Sequence, residues 1–235
     1  DSPWGKGRPG WHIECSAMAG KYLGPSFDIH GGGLDLRFPH HENELAQSRA
    51  AGRPFANFWV HNAWVTQAGE KMSKSLGNTA DVLEAVARYG GRAIRLYLAG
   101  PHYRSSVELS DESLAESAAQ LERVDSFLAR AAAKLSAVEL AGDEPLGQVP
   151  ADFAAAMDDD LGTPQALAVL FNTVREGNQA LDRGDLPAVG AALASVTAML
   201  GVLGLDPAAP EWASAASTDD LTPVVDRLVQ TVLSQ

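Results

Sequence analysis

The spacing of hydrophobic and polar positions changes twice along the 235-residue chain. In residues 1–70, short apolar runs such as Phe27–Ile29 and Phe58–Val60 are bounded by glycine and asparagine, which is typical of buried strands. Between them, the segment from Pro39 to Arg49 contains no glycine and predicts a helix with proline near its first turn. A strand, a helix and a second strand in this order favour an α/β sheet.

Helical spacing dominates the rest of the chain. Asp81 to Leu98 predicts two helices separated at Gly90-Gly91, and a long helix is predicted from Glu112 to about Leu140, capped by Ser110 or Asp111. Its expected apolar face comprises Leu114, Leu121, Val124, Phe127, Leu128 and Leu135. Further helices are predicted at 151–157, 163–183, 185–203 and 222–235, with loops at 141–150 and 205–217. The expected fold class is therefore α/β followed by all-α.

The composition is that of a globular protein, with 46% hydrophobic and 20% charged residues. We find no run of about 18 apolar residues, so no membrane span is expected. The single cysteine, Cys15, excludes an intramolecular disulfide and suits a reducing cytosol, so we expect a cytoplasmic location.

Charge is distributed unevenly. Residues 1–105 carry 12 Lys and Arg against 9 Asp and Glu, whereas residues 106–235 carry 6 against 21. Residues 1–105 have the charge to bind phosphates. Residues 106–235 are predicted to form an acidic, solvated surface that serves solubility. The few arginines of the second part, such as Arg123, Arg130 and Arg175, are candidates for a local basic face.

Three residue types suited to a metal occur at Cys15, His40 and Glu44. His40 and Glu44 are four positions apart and share one face of the predicted helix. A thiolate, an imidazole and a carboxylate suit zinc, and three protein ligands leave a position open, as in catalytic zinc sites. Spacing alone also allows Cys15 to be a small buried hydrophobic residue and His40 part of an ordinary polar helix start.

The segment from Asp28 to Asp35 contains three consecutive glycines, Gly31–Gly33, beside Asp28, His30 and Asp35. Glycines allow the backbone to approach a ligand closely, but they also occur in tight turns with positive φ. Both interpretations remain open. The segment matches neither a Walker loop nor a dinucleotide-binding fingerprint.

Lys71 and Lys74 lie three positions apart in a segment rich in serine, glycine and asparagine. Two ammonium groups on such a loop can stabilise the charge of a leaving polyphosphate. The alternative from charge alone is an ordinary solvated basic loop.

The sequence KMSKS at 71–75 resembles the second signature of class I aminoacyl-tRNA synthetases. RPGWHIECSAM at 8–18, DIHGGG at 28–33 and FPHHENELAQS at 38–48 closely resemble the cysteinyl-tRNA synthetases within that class. The similarity extends through residues 100–105 and 157–160.

This resemblance implies a zinc ion that binds the thiolate of the substrate L-cysteine. Its ligands would be Cys15, His40, Glu44 and a further cysteine that is not in this chain. Trp11 and His30 resemble residues that line the amino-acid pocket, with core packing as the alternative role of Trp11. Asp35 is a candidate for binding the substrate ammonium group.

The resemblance also implies ATP, with Mg²⁺, as a substrate and tRNA(Cys) as the acceptor. The loop Lys71, Met72, Ser73, Lys74 and Ser75 would bind ATP, and Lys71 and Lys74 would act at the pyrophosphate. Residues 1–70 would form the second half of a Rossmann-like catalytic domain, 71–110 the KMSKS loop and stem-contact region, and 111–235 an anticodon-binding-type, DALR-like helical bundle. A monomer without membrane contact is expected.

We expect the chain to be a fragment that lacks the N-terminal half with its HIGH motif, and also the extreme C-terminus, and to be inactive alone. One alternative is the mycothiol-pathway ligase that joins cysteine to an amino-sugar, which differs in lacking His at position 30 and Glu at position 44. The other is a non-catalytic truncated paralogue, which the intact KMSKS sequence and the candidate zinc ligands disfavour.

Overall fold

The computed structural model of the protein describes residues 1–8, 10–67, 70–71, 82–137 and 148–213. The chain divides into two compact units. The first unit comprises residues 1–78 and 103–109, and the second comprises residues 79–102 and 110–235.

The first unit is an α/β structure. Helix α1 (Trp11–Tyr22), strand β1 (Ser26–Gly33), helix α2 (Glu42–Ala50) and strand β2 (Phe55–Asn62) follow one another along the chain. The two strands pair in parallel, from Ser26 opposite Phe55 to Gly33 opposite Asn62. The predicted order of strand, helix and strand is confirmed.

A smaller sheet completes the first unit. Strand β3 (Val65–Gln67) lies between strand β4 (Glu70–Lys71), which is antiparallel to it, and strand β5 (Val107–Glu108), which is parallel. The backbone N–H of Ala63 donates to the carbonyl of Tyr103 at 2.8 Å. This hydrogen bond and the pairing of β5 explain why residues 103–109 belong to the first unit.

Helix α2 begins at Glu42, so the prediction of a helix starting at Pro39 was wrong by three residues. Phe38 is extended, with φ −137° and ψ 133°, because a residue before proline is disfavoured in the helical region. Short helical turns at Leu34–Leu36 and Arg37–His41 fill the interval between β1 and α2. His40 nevertheless keeps its place four residues before Glu44.

The three glycines Gly31–Gly33 lie inside β1, and none of them has a positive φ. The tight-turn interpretation was therefore wrong. A Cβ on Gly32 would lie 2.9 Å from Cε1 of His41, so the glycine leaves room for that imidazole against the strand. The group that approaches the Gly32 backbone closely is therefore the His41 side chain of the protein itself.

Helix α1 was not predicted from the sequence. Ser16 is its one buried residue, so the helix has no apolar stripe that hydrophobic periodicity could detect. The usable signal was Gly10 at the N-cap, after Pro9, followed by nine positions without proline or glycine.

The described part of the second unit is helical. Its helices are α3 (Val82–Tyr89), α4 (Gly91–Ala99), α5 (Asp111–Ser136), α6 (Ala151–Asp158), α7 (Thr163–Arg183), α8 (Leu186–Leu203) and α9 (Pro210–Ala213). The break at Gly90 is confirmed, and its φ of 82° explains the choice of glycine. Helix α9 lies within the predicted loop 205–217. The predicted helix at 222–235 and most of the loop at 141–150 lie outside the described residues.

Helices α5, α7 and α8 share the main hydrophobic core of this unit. On α5, Leu114, Leu121, Val124 and Phe127 are buried as predicted. The side chain of Ser110 accepts a hydrogen bond from the Ser113 backbone N–H at 3.1 Å, which caps the first turn of α5.

Helix α8 is long and apolar enough to cross a membrane by length and composition, with a mean hydropathy of 1.9 over 18 residues. The expectation that no such segment exists was therefore wrong. Its buried residues, including Val196, Met199 and Leu200, lie in the core of the second unit. The core helix of a helical bundle passes the same test.

Two arginines of α4 hold the C-terminal end of α8. Arg95 donates to the carbonyl of Leu203 at 2.7 Å, and Arg92 donates to the carbonyl of Leu205 at 2.7 and 3.1 Å. Arg92 also forms a two-point contact with the Asp125 carboxylate at 2.8 and 3.0 Å. These bonds satisfy carbonyls at a helix end that have no partner within the helix.

Candidate metal and amino-acid site

Glu44 lies at the centre of a polar cluster in the first unit. Glu44 is the third residue of α2, and its side chain is fully buried. Oε1 lies 2.9 Å from Nε2 of His40, and Oε2 lies 2.7 Å from Nε2 of His30. Neither approach has hydrogen-bond alignment, so both buried oxygens lack a well-formed partner. Such atoms need another positive group to offset the cost of burial.

Cys15 joins this cluster from α1. Its thiol, an imidazole nitrogen of His40 and a carboxylate oxygen of Glu44 all lie within 4.8 Å of one another. Sulfur, nitrogen and oxygen donors at this separation fit a zinc ion, whose ligand bonds measure about 2.0–2.3 Å. The unpartnered oxygens of Glu44 fit the same ion.

Cys15 carries its proton more firmly than an ordinary cysteine. Partial burial raises the pKa of its thiol, and the Glu44 carboxylate and then Glu14 raise it further by disfavouring a second negative charge nearby. A bound cation reverses this effect, because a coordinated thiol is deprotonated.

Further histidines surround the cluster. His30, His41 and Glu44 form a second group whose donor atoms lie within 4.8 Å of one another. Burial lowers the pKa of His41, and the neighbouring His30 lowers it further against the opposing effect of Glu44. Burial, followed by the charge of Arg37, lowers the pKa of His61. His41 and His61 are therefore held neutral at neutral pH, and Nδ1 of His41 lies 2.8 Å from Nε2 of His61.

His12 contacts the far side of His40. The two Nδ1 atoms lie 2.7 Å apart, so one ring donates to the other. Because Nδ1 of His40 is engaged with His12, its Nε2 is the atom directed at Glu44. A metal-binding histidine usually has its other ring nitrogen fixed in this way.

Two of the predicted pocket residues have specific neighbours. The Trp11 ring stacks on His40 with centroids 4.2 Å apart and is 57% exposed, which is inconsistent with a core-packing role. Oδ1 of Asp35 accepts a hydrogen bond from Nε1 of Trp64 at 3.2 Å. A Cβ on Gly33 would lie 2.5 Å from that same Oδ1, so a side chain at this position would displace the carboxylate.

For the KMSKS sequence, the structure describes only the backbone of Lys71, which ends β4 opposite Thr66. Met72, Ser73, Lys74 and Ser75 lie outside the described residues. Their roles remain predictions from the sequence.

Sequence reasoning missed His12, His41 and His61 as members of the cluster. The available signal was compositional, because five of the six histidines fall within residues 1–70. Their meeting depends on α1, the turn before α2 and β2 coming together, which spacing along one element does not reveal.

Residues 1–119 match the family described as tRNA synthetases class I (C) catalytic domain. The chain belongs to this family. Residues 152–205 match the DALR domain, so a class I catalytic domain is followed by a DALR helical domain, as the fold class predicted. Residues 152–205 include α7 and α8.

Curated relatives share both parts. The chain is 60% identical over 241 residues to the cysteine–tRNA ligase of Cutibacterium acnes, covering 100% of the chain and 48% of the relative. The corresponding enzyme of Streptomyces avermitilis is 57% identical over 236 residues, covering 100% of the chain and 50% of the relative. The chain thus spans about half the length of the curated relatives it matches.

A solved structure supports the fold at low sequence identity. LeuRS of Agrobacterium radiobacter K84, in its ternary complex with tRNA and LeuAMS, matches with a TM-score of 0.61 and 17% identity. The match covers 83% of this chain and 27% of LeuRS. This likeness bears on the class I fold alone.

Proposed function

We propose that the chain forms part of a cysteine–tRNA ligase, which activates L-cysteine with ATP and transfers the cysteinyl group to tRNA(Cys). The convergence of the Cys15, His40 and Glu44 side chains carries this proposal. Support comes from the curated relatives named cysteine–tRNA ligase, which match the chain over its full length. Because those relatives are about twice as long, the activity is proposed for the complete enzyme.

Cys15, His40 and Glu44 would hold one zinc ion, with a fourth ligand, a cysteine, from outside residues 1–235. When bound, the ion supplies a soft Lewis acid that favours a substrate thiolate over a hydroxyl group. A pocket that selects by size alone discriminates by only about 1–3 kcal/mol, so the donor set at this site supports selection of cysteine against serine.

The surrounding side chains would orient the substrate. Trp11, stacked on His40 and partly exposed, would form one wall of the pocket. His30, with Nε2 2.7 Å from Glu44, would hold the carboxylate in place and line the pocket. Asp35, oriented by Trp64, would receive the substrate ammonium group.

Activation would proceed by in-line attack of the cysteine carboxylate on the α-phosphate of ATP. The bond between the α- and β-phosphates breaks, giving cysteinyl-adenylate and pyrophosphate. Lys71 and Lys74 would stabilise the charge that develops on the leaving pyrophosphate, in a loop that Met72, Ser73 and Ser75 complete, with Mg²⁺ accompanying ATP. Similarity to the KMSKS signature supports these roles.

We further assign residues 1–70 to the catalytic domain, 71–110 to the KMSKS loop and stem-contact region, and 111–235 to a helical domain that approaches the tRNA. The complete enzyme would act as a cytoplasmic monomer without a membrane partner.

The deciding experiment is cysteine-dependent exchange between ATP and pyrophosphate, performed on the complete enzyme that contains these residues. tRNA(Cys) and the amino-sugar acceptor of the mycothiol pathway are offered in parallel. Exchange followed by transfer to tRNA supports the proposal. Exchange followed by transfer to the amino-sugar favours the mycothiol-type ligase, and no exchange with zinc restored favours a non-catalytic protein.

A further inference from the structure

Asp35 and Trp64 occupy equivalent positions just beyond the ends of β1 and β2. The last paired residues of these parallel strands are Gly33 and Asn62. Asp35 follows Gly33 by two residues, and Trp64 follows Asn62 by two residues. Both therefore lie at the carboxyl ends of parallel strands, which is where α/β sheets bind their ligands.

The indole of Trp64 restricts the position of the Asp35 carboxylate. Nε1 of Trp64 donates to Oδ1 of Asp35 at 3.2 Å, and the same oxygen lies against Gly33, where a Cβ would come within 2.5 Å of it. A hydrogen bond to a carboxylate is stronger than one between neutral groups, and an indole brings no charge. The contact therefore orients one oxygen without neutralising the carboxylate. Asp35 is exposed, and a carboxylate offers about four acceptor sites, so this bond is compatible with a second one from an ammonium group.

Trp64 is also joined to the smaller sheet that contains Lys71. The backbone N–H of Val107 donates to the Trp64 carbonyl at 2.9 Å, which ties Trp64 to β5 immediately before β3 begins. Two residues later, Thr66 on β3 pairs with Lys71 on β4. A short, hydrogen-bonded path thus leads from the Asp35 carboxylate through Trp64 and β3 to the strand that ends at Lys71.

We propose that Trp64 couples recognition of the substrate ammonium group at Asp35 to the placement of Lys71 on β4. The inference rests on the proposed function for the roles of Asp35 and Lys71, and adds the residue that connects them. A ligand that orders one end of this path reduces the entropy that a ligand at the other end loses on binding. Because such coupling is reciprocal, L-cysteine and ATP should each strengthen the binding of the other. Trp64 is a positioning residue, since it acts through Asp35 and not on the reacting atoms.

The first measurement compares L-cysteine with 3-mercaptopropionate, which has the same thiol and carboxylate but no ammonium group. Calorimetry gives both dissociation constants on the complete, zinc-loaded enzyme. Trp64→Phe keeps an aromatic ring and removes the N–H donor, so it should weaken L-cysteine by about tenfold and leave 3-mercaptopropionate unchanged. Trp64→His should restore part of the loss, because Nε2 of histidine occupies the ring position of the indole Nε1.

The second measurement follows the coupling itself. The dissociation constant of α,β-methylene-ATP, which cannot release pyrophosphate, is determined without L-cysteine and with L-cysteine at saturation. The ratio of the two constants should be about fivefold or more in the unaltered enzyme and should fall towards one in Trp64→Phe. Trp4→Phe makes the same change at a tryptophan that is 93% exposed, and should leave both measurements unchanged.

Unfolding temperatures of all variants identify any loss of folding, and Trp64→Leu replaces Trp64→Phe if the latter unfolds. Equal weakening of L-cysteine and 3-mercaptopropionate overturns the inference, because Trp64 would then shape the pocket as a whole. An unchanged coupling ratio in folded Trp64→Phe overturns it as well, as does the same loss in Trp4→Phe. Absence of cysteine-dependent exchange in the unaltered enzyme would instead contradict the proposed function, so the two failures are distinguishable.

Discussion

At the residue scale, Glu44 determines which kind of ion the candidate metal site would hold. A fully buried carboxylate beside two imidazoles and a thiol is costly without a cation. The same carboxylate raises the pKa of Cys15, so the metal-free thiol is the protonated form at neutral pH. A bound cation would both satisfy the Glu44 carboxylate and favour the thiolate form of Cys15.

Replacing Cys15 tests the assignment directly. Cys15→Ala in the complete enzyme should abolish zinc retention and cysteine activation, because it removes the one sulfur donor that this chain contributes. The zinc content per protein and the exchange rate are the measurements. Met18→Ala, which changes a 50% exposed residue on the same helix, is the matched control and should keep its zinc. Full zinc stoichiometry in Cys15→Ala would contradict the ligand assignment.

His12 provides a second test at this scale. His12→Ala removes the ring that engages Nδ1 of His40, so the zinc dissociation constant should rise about 10–100-fold. Competition with a chelator measures this change. His12→Asn, which restores a hydrogen-bonding group, should recover part of the affinity, and Ile13→Ala on the adjacent exposed position should have no effect. Equal affinities in His12→Ala and the unaltered protein would exclude a positioning role.

At the element scale, the close packing of α7 against α5 and α8 depends on Gly177. A Cβ on Gly177 would lie 2.5 Å from the Phe127 ring and 3.0 Å from Cβ of Ala192. Gly177→Ala should therefore destabilise the protein by about 1–3 kcal/mol, because overpacking outweighs the better helix propensity of alanine. Urea denaturation measures the change.

Gly190 on α8 is the matched control, because a Cβ there meets no atom within 4 Å. Gly190→Ala should stabilise the protein by up to about 1 kcal/mol through helix propensity alone. If both variants changed stability in the same direction, the packing explanation for Gly177 would be wrong.

A comparison of the helices and strands with their predictions shows which sequence signals are enough to predict an element. Helices α5, α7 and α8 were predicted closely, because capping residues and an apolar stripe act within one segment. Helix α1 was not predicted, because its one buried residue is Ser16 and it has no hydrophobic face that periodicity could reveal. The turn interpretation of the β1 glycines was wrong, because their close neighbours come from later segments: Val60 at Gly31, His41 at Gly32 and Asp35 at Gly33.

The same distinction applies to the candidate site. The pairing of His40 with Glu44 was predictable because four residues make one helical repeat. Cys15 was grouped with them by its residue type and then by the resemblance, because no spacing along the chain relates it to His40 and Glu44. His12 and His61 depend on contacts between elements.

At the scale of the whole molecule, Arg92 links three helices of the second unit. From α4 it contacts Asp125 on α5 and the Leu205 carbonyl after the end of α8. The Arg92 side chain is 16% exposed and the Asp125 side chain 40% exposed. Arg92→Ala should destabilise the unit by about 1–3 kcal/mol, because it leaves the Leu205 carbonyl and the Asp125 carboxylate without their donor.

Thermal or urea unfolding measures this effect. The control is Arg88→Ala, which removes an ion pair with Asp111 whose partners are 60% and 63% exposed and should change stability little. Equal losses in the two variants would show that the Arg92 contacts do not hold the unit together.

The contacts of Arg92 also set the order in which this unit can be completed during synthesis. The arginine and the Leu205 carbonyl are 113 residues apart. At about 5–20 residues per second, a ribosome needs roughly 6–23 s to make the second partner after the first. Throughout that interval, the Arg92 guanidinium has no Leu205 carbonyl to which it can donate. The link between α4 and the end of α8 can therefore form only after α8 has been synthesised, whereas the contact of Arg92 with Asp125 can form much earlier.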